Sequence, residues 1–291
     1  MAWLQLKVRS SAAEADGVED ILLAAGAAAV TMEDSGDQPL FEPPLGTTPL
    51  WQDTTVVGLF NADIDVATAT QQINSALQPS DPLKFEILED KDWVRAWMDD
   101  YHPIQFGDRL WICPSWCEPP QPNAVNLMLD PGLAFGTGTH PTTAMCMRWL
   151  DQQDLDGKTV WDYGCGSGVL AIAALLLGAT SAKGNDIDPQ ALTASRDNAQ
   201  RNGIADEKFE LILGAPKDAE QVDVVVANIL AGPLVALSEG IAALCKPGGS
   251  LALSGILDTQ AAEIIECYQQ WFDLDPPTLN EEWVCITGRK R

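Results

Sequence analysis

Gly164, Gly166 and Gly168 stand two apart at the end of Val160-Trp161-Asp162-Tyr163, and an apolar run from Val169 to Leu177 follows at once. That order reads as strand, tight turn, helix. Residues without a Cβ let the backbone approach a ligand lying against the helix N-terminus. Further on, in Gly184-Asn185-Asp186-Ile187-Asp188, an acidic pair closes the next apolar segment. A glycine turn followed about twenty residues later by an acid is the pairing that holds an adenosine-type ligand, with the carboxylate on the ribose hydroxyls. With Asp186 in place, a plain β-to-α turn that binds nothing accounts for less of the pattern. Cys165, inside the turn, is read as a small space-filler, because the chain has only two histidines to activate a thiol.

The spacing also chooses between ligands. A dinucleotide site reads G-x-G-x-x-G, so that a pyrophosphate can lie on the helix N-terminus. Here the pattern is G-x-G-x-G, with Val169 where the third glycine of that fingerprint would fall. This disfavours a nicotinamide-dependent dehydrogenase and resembles the first motif of the class I methyltransferases, which bind S-adenosylmethionine. Ligands in open α/β sheets sit outside the carboxyl ends of the strands. The strands read here end at Gly164, Asp186 and Asn228, so the three ends are expected to line one crevice. Asn228 opens Asn228-Ile229-Leu230-Ala231-Gly232-Pro233, where amine methyltransferases often carry Asn-Pro-Pro-Tyr. By that likeness its amide accepts a hydrogen bond from an amine and aims the lone pair at the methyl group. Ile229-Leu230 replaces the prolines, so a stacking aromatic is missing. The alternative is that Asn228 only caps the following helix or turn.

A second dense segment, Asp130 to Thr143, gathers glycine, threonine, proline and His140 just ahead of a helix. It reads as a loop built for close approach. His140 is read as a helix-start residue rather than a base, and no partners for a metal site are found near it.

The runs LDPGLAFGTGTHPTT, DYGCGSG, DIDPQAL, VVVANILAGPL and EEWVCITGRKR together resemble the ribosomal protein methyltransferases that modify large-subunit protein eleven. The likeness covers about residue 91 to the end, including the connector DWVRAWMDDYHPIQFG. It implies that Thr143, Gly164, Gly166, Asp186 and Asn228 contact S-adenosylmethionine and that Asn228 also serves catalysis. It implies lysine side chains and the N-terminal α-amine of that ribosomal protein as substrates, with no metal. It further implies that an acidic N-terminal module grips the basic substrate. A methyltransferase of this fold acting on another protein, an RNA or a small molecule is the alternative.

Periodicity supplies the frame for these residues. Residues 1–90 read as β-α-β-β-α-β, a ferredoxin-like α+β domain for substrate recognition, with Ser11 capping a helix over 12–25 and a second helix over Val66–Leu77. Residues 91–125 read as a connector, with helical turns over 92–99 and a strand over 109–113. Residues 126–291 alternate strand and helix, beginning with a strand over 125–129, and are expected to form a Rossmann-like, seven-stranded class I methyltransferase domain. A single helix is expected over 233–244 and two closing strands over 272–274 and 283–287.

The chain has 291 residues, mean hydropathy −0.03 and a formal net charge of −25. Residues 1–90 hold Lys7, Arg9 and Lys84 against fifteen acids, a net of −12. Such a surface repels phosphate backbones, which argues against direct nucleic-acid binding and suits a basic protein partner. The opening residues lack a signal-peptide pattern, and the longest apolar run is too short for a bilayer. Seven scattered cysteines fit reduced thiols. A cytoplasmic protein is therefore expected, and nothing demands more than a monomer.

Overall fold

A computed structural model describes residues 3–291 apart from 37, 39, 41–46, 80–81, 89–101, 131–137 and 217–219. The helical turns expected over 92–99 and most of the glycine-rich loop before His140 lie outside the described residues. The chain divides into two compact units, Met1–Asp99 and Asp100–Arg291.

The first unit runs β1 (Trp3–Ser11), α1 (Ala15–Ala24), β2 (Ala29–Asp34), β3 (Asp53–Asn61), α2 (Val66–Leu77) and β4 (Phe85–Leu88). Its strands form one antiparallel sheet in the order β2-β3-β1-β4. Alternation on β1 sends Leu6 and Val8 inward, where Leu22, Val56, Phe60 and Ile73 complete a core. Asp65 starts α2 by accepting the Ala67 and Thr68 N–H groups. Ser11 does not cap α1. It is the last residue of β1, paired with Asp53 on β3, and Glu14 precedes the helix without a capping bond. Ladder pairing has taken the serine that local spacing assigned to the helix.

The second unit carries two sheets. In the smaller, β5 (Ile104–Phe106) runs antiparallel to β6 (Leu110–Cys113), and β6 runs parallel to β7 (Val125–Met128). β7 is thus not the opening strand of the large sheet, as its place in the β/α alternation suggested.

The large sheet orders its strands β10-β9-β8-β11-β12-β15-β13, with β14 also paired to β15. These are β8 (Thr159–Tyr163), β9 (Ser181–Asp186), β10 (Phe209–Leu213), β11 (Val222–Asn228), β12 (Cys245–Leu257), β13 (Phe272–Leu274), β14 (Thr278–Asn280) and β15 (Trp283–Lys290). β8 to β12 are parallel, and β15 turns antiparallel against β12. β13 and β14 lie along the same side of β15, separated by Asp275-Pro276-Pro277. A proline lacks the N–H a ladder needs, so one edge strand becomes two pieces.

Both faces of this sheet are buried. Val160, Val224 and Val226 point to one core, shared with α3 (Pro141–Gln152), α4 (Val169–Leu176) and α5 (Pro189–Arg201). Trp161, Val225 and Ala227 point to the other, shared with α6 (Ala231–Ala236), α7 (Ser238–Leu244) and α8 (Ala261–Tyr268). The single helix expected over 233–244 is broken at Leu237, whose φ of −105° and ψ of 7° leave the α region.

Candidate active site

The sheet register builds the site. Tyr163 on β8 pairs with Asn185 on β9 and with Ala227 on β11. The next residue on each strand is Gly164, Asp186 and Asn228, so all three emerge side by side at the carboxyl ends of adjacent parallel strands.

Gly164, Gly166 and Gly168 have φ of +73°, +54° and +76°, a left-handed run that residues with a Cβ resist. The turn is held from both sides. On one side the Asp186 carboxylate accepts the Gly166 N–H at 2.9 Å and the Asp188 N–H at 3.0 Å. On the other, Ser195 Oγ of α5 donates to the Gly166 carbonyl at 2.8 Å, and Asn198 Nδ2 donates to the Ser167 carbonyl at 2.9 Å.

Asn228 meets Thr143 on the first turn of α3. Its Nδ2 donates to Thr143 Oγ1 at 3.1 Å, while its Oδ1 is a buried acceptor without a partner among the described residues. α6 is preceded by Leu230 with no side-chain capping bond, so capping is not what Asn228 does. Ile229, the next residue, is gripped between two glycines. A Cβ on Gly164 would overlap its side chain, and a Cβ on Gly255 of β12 would overlap its carbonyl oxygen.

His140 sits at the start of α3, where its Nδ1 accepts the Thr142 N–H at 3.4 Å and lies 2.8 Å from Thr142 Oγ1. Its ring meets Trp283 edge to face with centroids 5.0 Å apart. Burial holds the imidazole below its ordinary pKa against the opposing pull of Glu282 and Glu281. Cys165 is buried, and desolvation pushes its thiol far up, which keeps it unreactive.

Four contributors were not read from the sequence as parts of the site: Asp162, Ser195, Asn198 and Asn202. Asp162 lies under the turn, 1% exposed, and accepts the Ala171 N–H at 3.1 Å. Burial pushes its carboxyl up to about 7, and the charge of Asp186 acts in the same direction. Asn202 pairs with both backbone groups of Met128, taking its N–H at 2.7 Å and giving to its carbonyl at 2.8 Å. It thereby holds the root of the loop leading to Thr143. Ser195, Asn198 and Asn202 recur at i, i+3 and i+7, a polar stripe on α5 that was the available signal.

These residues fit an adenosine-bearing methyl donor. A carboxylate one strand away binds the glycine turn, and among the described residues nothing donates to the buried acceptor at Asn228.

A family model described as ribosomal protein L11 methyltransferase (PrmA) matches residues 2–291. The chain belongs to the ribosomal protein L11 methyltransferase family. A relative of that name from Shewanella amazonensis is 57% identical over 100% of this chain and 99% of its own. One from Pseudomonas putida is 56% identical over 100% of both chains. Among solved structures, the ribosomal protein L11 methylase of Lactobacillus delbrueckii subsp. bulgaricus is 34% identical, with a TM-score of 0.60. It covers 66% of this chain and 100% of that one. As an L11 methyltransferase family member the chain is a methyltransferase with a mixed α/β fold.

Proposed function

We propose that this protein transfers methyl groups from S-adenosylmethionine to lysine side chains and the N-terminal α-amine of ribosomal protein L11. The observation that carries the reading is the buried Oδ1 of Asn228, which has no partner among the described residues and stands beside Gly164 and Asp186 by strand register.

The donor supplies an already activated methyl group on a sulfonium, so the residues mainly orient and desolvate. Asp186 takes the ribose hydroxyls and steadies Gly166, whose turn supports the donor. Thr143 fixes the Asn228 amide, and Asn228 Oδ1 accepts from the incoming amine and directs its lone pair. Aligning the reacting atoms is a contribution that can reach about 7–11 kcal/mol. A lysine of ordinary pKa near 10.4 is mostly protonated at neutral pH, and an uncharged carbonyl acceptor favours the ammonium less than a carboxylate would.

Residues 1–90 act as a ferredoxin-like recognition module for the basic substrate, 91–125 as the connector and 126–291 as the catalytic domain. The strand order β2-β3-β1-β4 supports the first assignment. The seven-stranded class I sheet corresponds to the path from β10 to β13, with β14 as a displaced piece of the last strand. The protein works as a monomer in the cytoplasm without a metal, and its free thiols favour a reducing compartment.

The test is calorimetry of S-adenosylmethionine with the wild-type chain and with Asp186→Ala, alongside methylation of unmodified L11. Donor binding that weakens in the folded variant supports the reading, and equal binding removes Asp186 from the site.

A further inference from the structure

Asn198 holds the glycine turn through a side chain whose two ends, an oxygen and an NH2 group, are nearly the same size. Its Nδ2 donates to the Ser167 carbonyl at 2.9 Å, and both residues are buried. An amide turned over would set Oδ1 against that carbonyl, two acceptors with no proton between them. Shape alone does not prevent this, so a second contact must. Arg201, three residues on and the last residue of α5, supplies it, donating from Nη1 to Asn198 Oδ1 at 2.8 Å. A guanidinium only donates and a carbonyl only accepts, so these two neighbours admit one orientation of the amide.

Arg201 is itself fixed from outside the helix. Its Nη2 lies 3.7 Å from Asp130 Oδ2. Ser115 anchors that carboxylate, donating from its N–H at 2.7 Å and from its Oγ at 2.9 Å. The Arg201 side chain is 37% exposed, so its attraction to Asp130 counts for little as stability. What the pair does is hold a planar fork at a set angle, with one arm on each partner. A polar path thus runs from the segment after β6 through Asp130, Arg201 and Asn198 to Ser167.

We propose that Arg201 is a positioning residue for methyl-donor binding, fixing the Asn198 amide and through it the glycine turn. This rests on the reading of the turn as part of the S-adenosylmethionine site. Arg201 acts through Asn198 and takes no part in the transfer. It therefore bears on how tightly the donor is held. The rate with donor bound and the affinity for L11 do not depend on it.

The experiment pairs donor calorimetry with L11 methylation kinetics for the full-length wild type, Arg201→Ala, Arg201→Lys, Asn198→Ala and the double alanine variant. Arg201→Ala is expected to raise the donor Kd and KM about fivefold, in the range of one lost hydrogen bond. Its kcat at saturating donor and its KM for L11 should stay within about twofold of wild type. Arg201→Lys keeps a cation that can reach one partner and should recover part of the loss. Because Arg201 acts through Asn198, its removal should add little once Asn198 is alanine. A folded Arg201→Ala protein with a lower Tm and the wild-type donor Kd would overturn the proposal. A loss that persists in full in the Asn198→Ala background would overturn it too. Hydrogen exchange of the ligand-free protein separates this proposal from the reading beneath it. The peptide spanning Gly164 to Gly168 should exchange faster in Arg201→Ala, and unchanged exchange would contradict the hold on the turn. If wild-type protein binds no donor, the identity of the cleft falls, while the exchange result still decides whether Arg201 orders the turn.

Discussion

Asn228 Nδ2 donates to Thr143 Oγ1 at 3.1 Å, across 85 residues of chain, and this bond decides which atom of the amide stays available. With Nδ2 occupied, Oδ1 is the acceptor left at the carboxyl end of β11. The strand places the residue, and the first turn of α3 sets its orientation.

Removing that acceptor should damage turnover far more than donor binding. Asn228→Ala is expected to lower kcat by about 10²-fold, since misplacing a reacting group by an ångström is enough for that. The Kd for S-adenosylmethionine should change little. Steady-state kinetics beside calorimetry checks this, and equal losses in both would make Asn228 a donor-holding residue only.

Thr143→Val keeps the shape of the side chain but leaves the Asn228 Nδ2 without its partner. The expected loss is about 1–3 kcal/mol of stability, the cost of an unsatisfied buried donor. Because both residues act through one hydrogen bond, the kcat losses of Thr143→Val and Asn228→Ala should not add in the double variant. Thermal melts and a double-mutant cycle read both effects.

Asp186→Ala loses hydrogen bonds to a charged acceptor and releases the Gly166 N–H. A drop of about 1.5–3 kcal/mol in donor affinity is expected. Asp186→Asn, which keeps one acceptor, should lose less. Calorimetry on both variants orders them.

Gly255→Ala should harm the protein more than Gly164→Ala. Both positions have left-handed φ, +84° and +73°, which a Cβ opposes by about 1–2 kcal/mol. At Gly164 the added atom meets the Ile229 side chain, whereas at Gly255 it meets the Ile229 backbone and must displace the Asn228 loop. Melting temperatures rank the two, and activity should follow the same order.

The buried Asp162 carboxyl predicts a pH effect on folding. Its carboxyl is raised to about 7 in the folded chain, so ionising it there opposes folding. That opposition is absent below the unfolded value near 3.9 and grows as pH rises through about 7. Without ligand, Asp162→Asn should therefore gain Tm relative to wild type on going from about pH 5 to about pH 8. A gap that is flat or shrinks with pH would contradict the assignment.

Much of this arrangement is legible in the sequence, and the exceptions share a cause. α2 matches its reading at Val66–Leu77 because Asp65, the periodicity and the end of the helix all lie within one short segment. β8 and β10 likewise follow from local alternation and apolar runs. β7 was legible as a strand but not as a member of a separate sheet, since four residues do not say which edge they join. β12 spans Cys245–Leu257 although its Lys246-Pro247-Gly248-Gly249 has the composition of a turn, so its start is hidden from local pattern. β14 is three residues behind two prolines, too brief for any pattern. In the site, Gly164, Gly166, Asp186 and Asn228 announce themselves by spacing at strand ends. Asp162, Ser195, Asn198 and Asn202 do not, because their partners are backbone groups distant in sequence.

The most direct test of the account is mass spectrometry of unmodified ribosomal protein L11 after incubation with this protein and S-adenosylmethionine. The account predicts mass gains in whole methyl increments, mapped to lysines and the N-terminal amine, that largely vanish with Asn228→Ala. An unchanged L11 mass, while calorimetry still records donor binding, would contradict the proposed substrate.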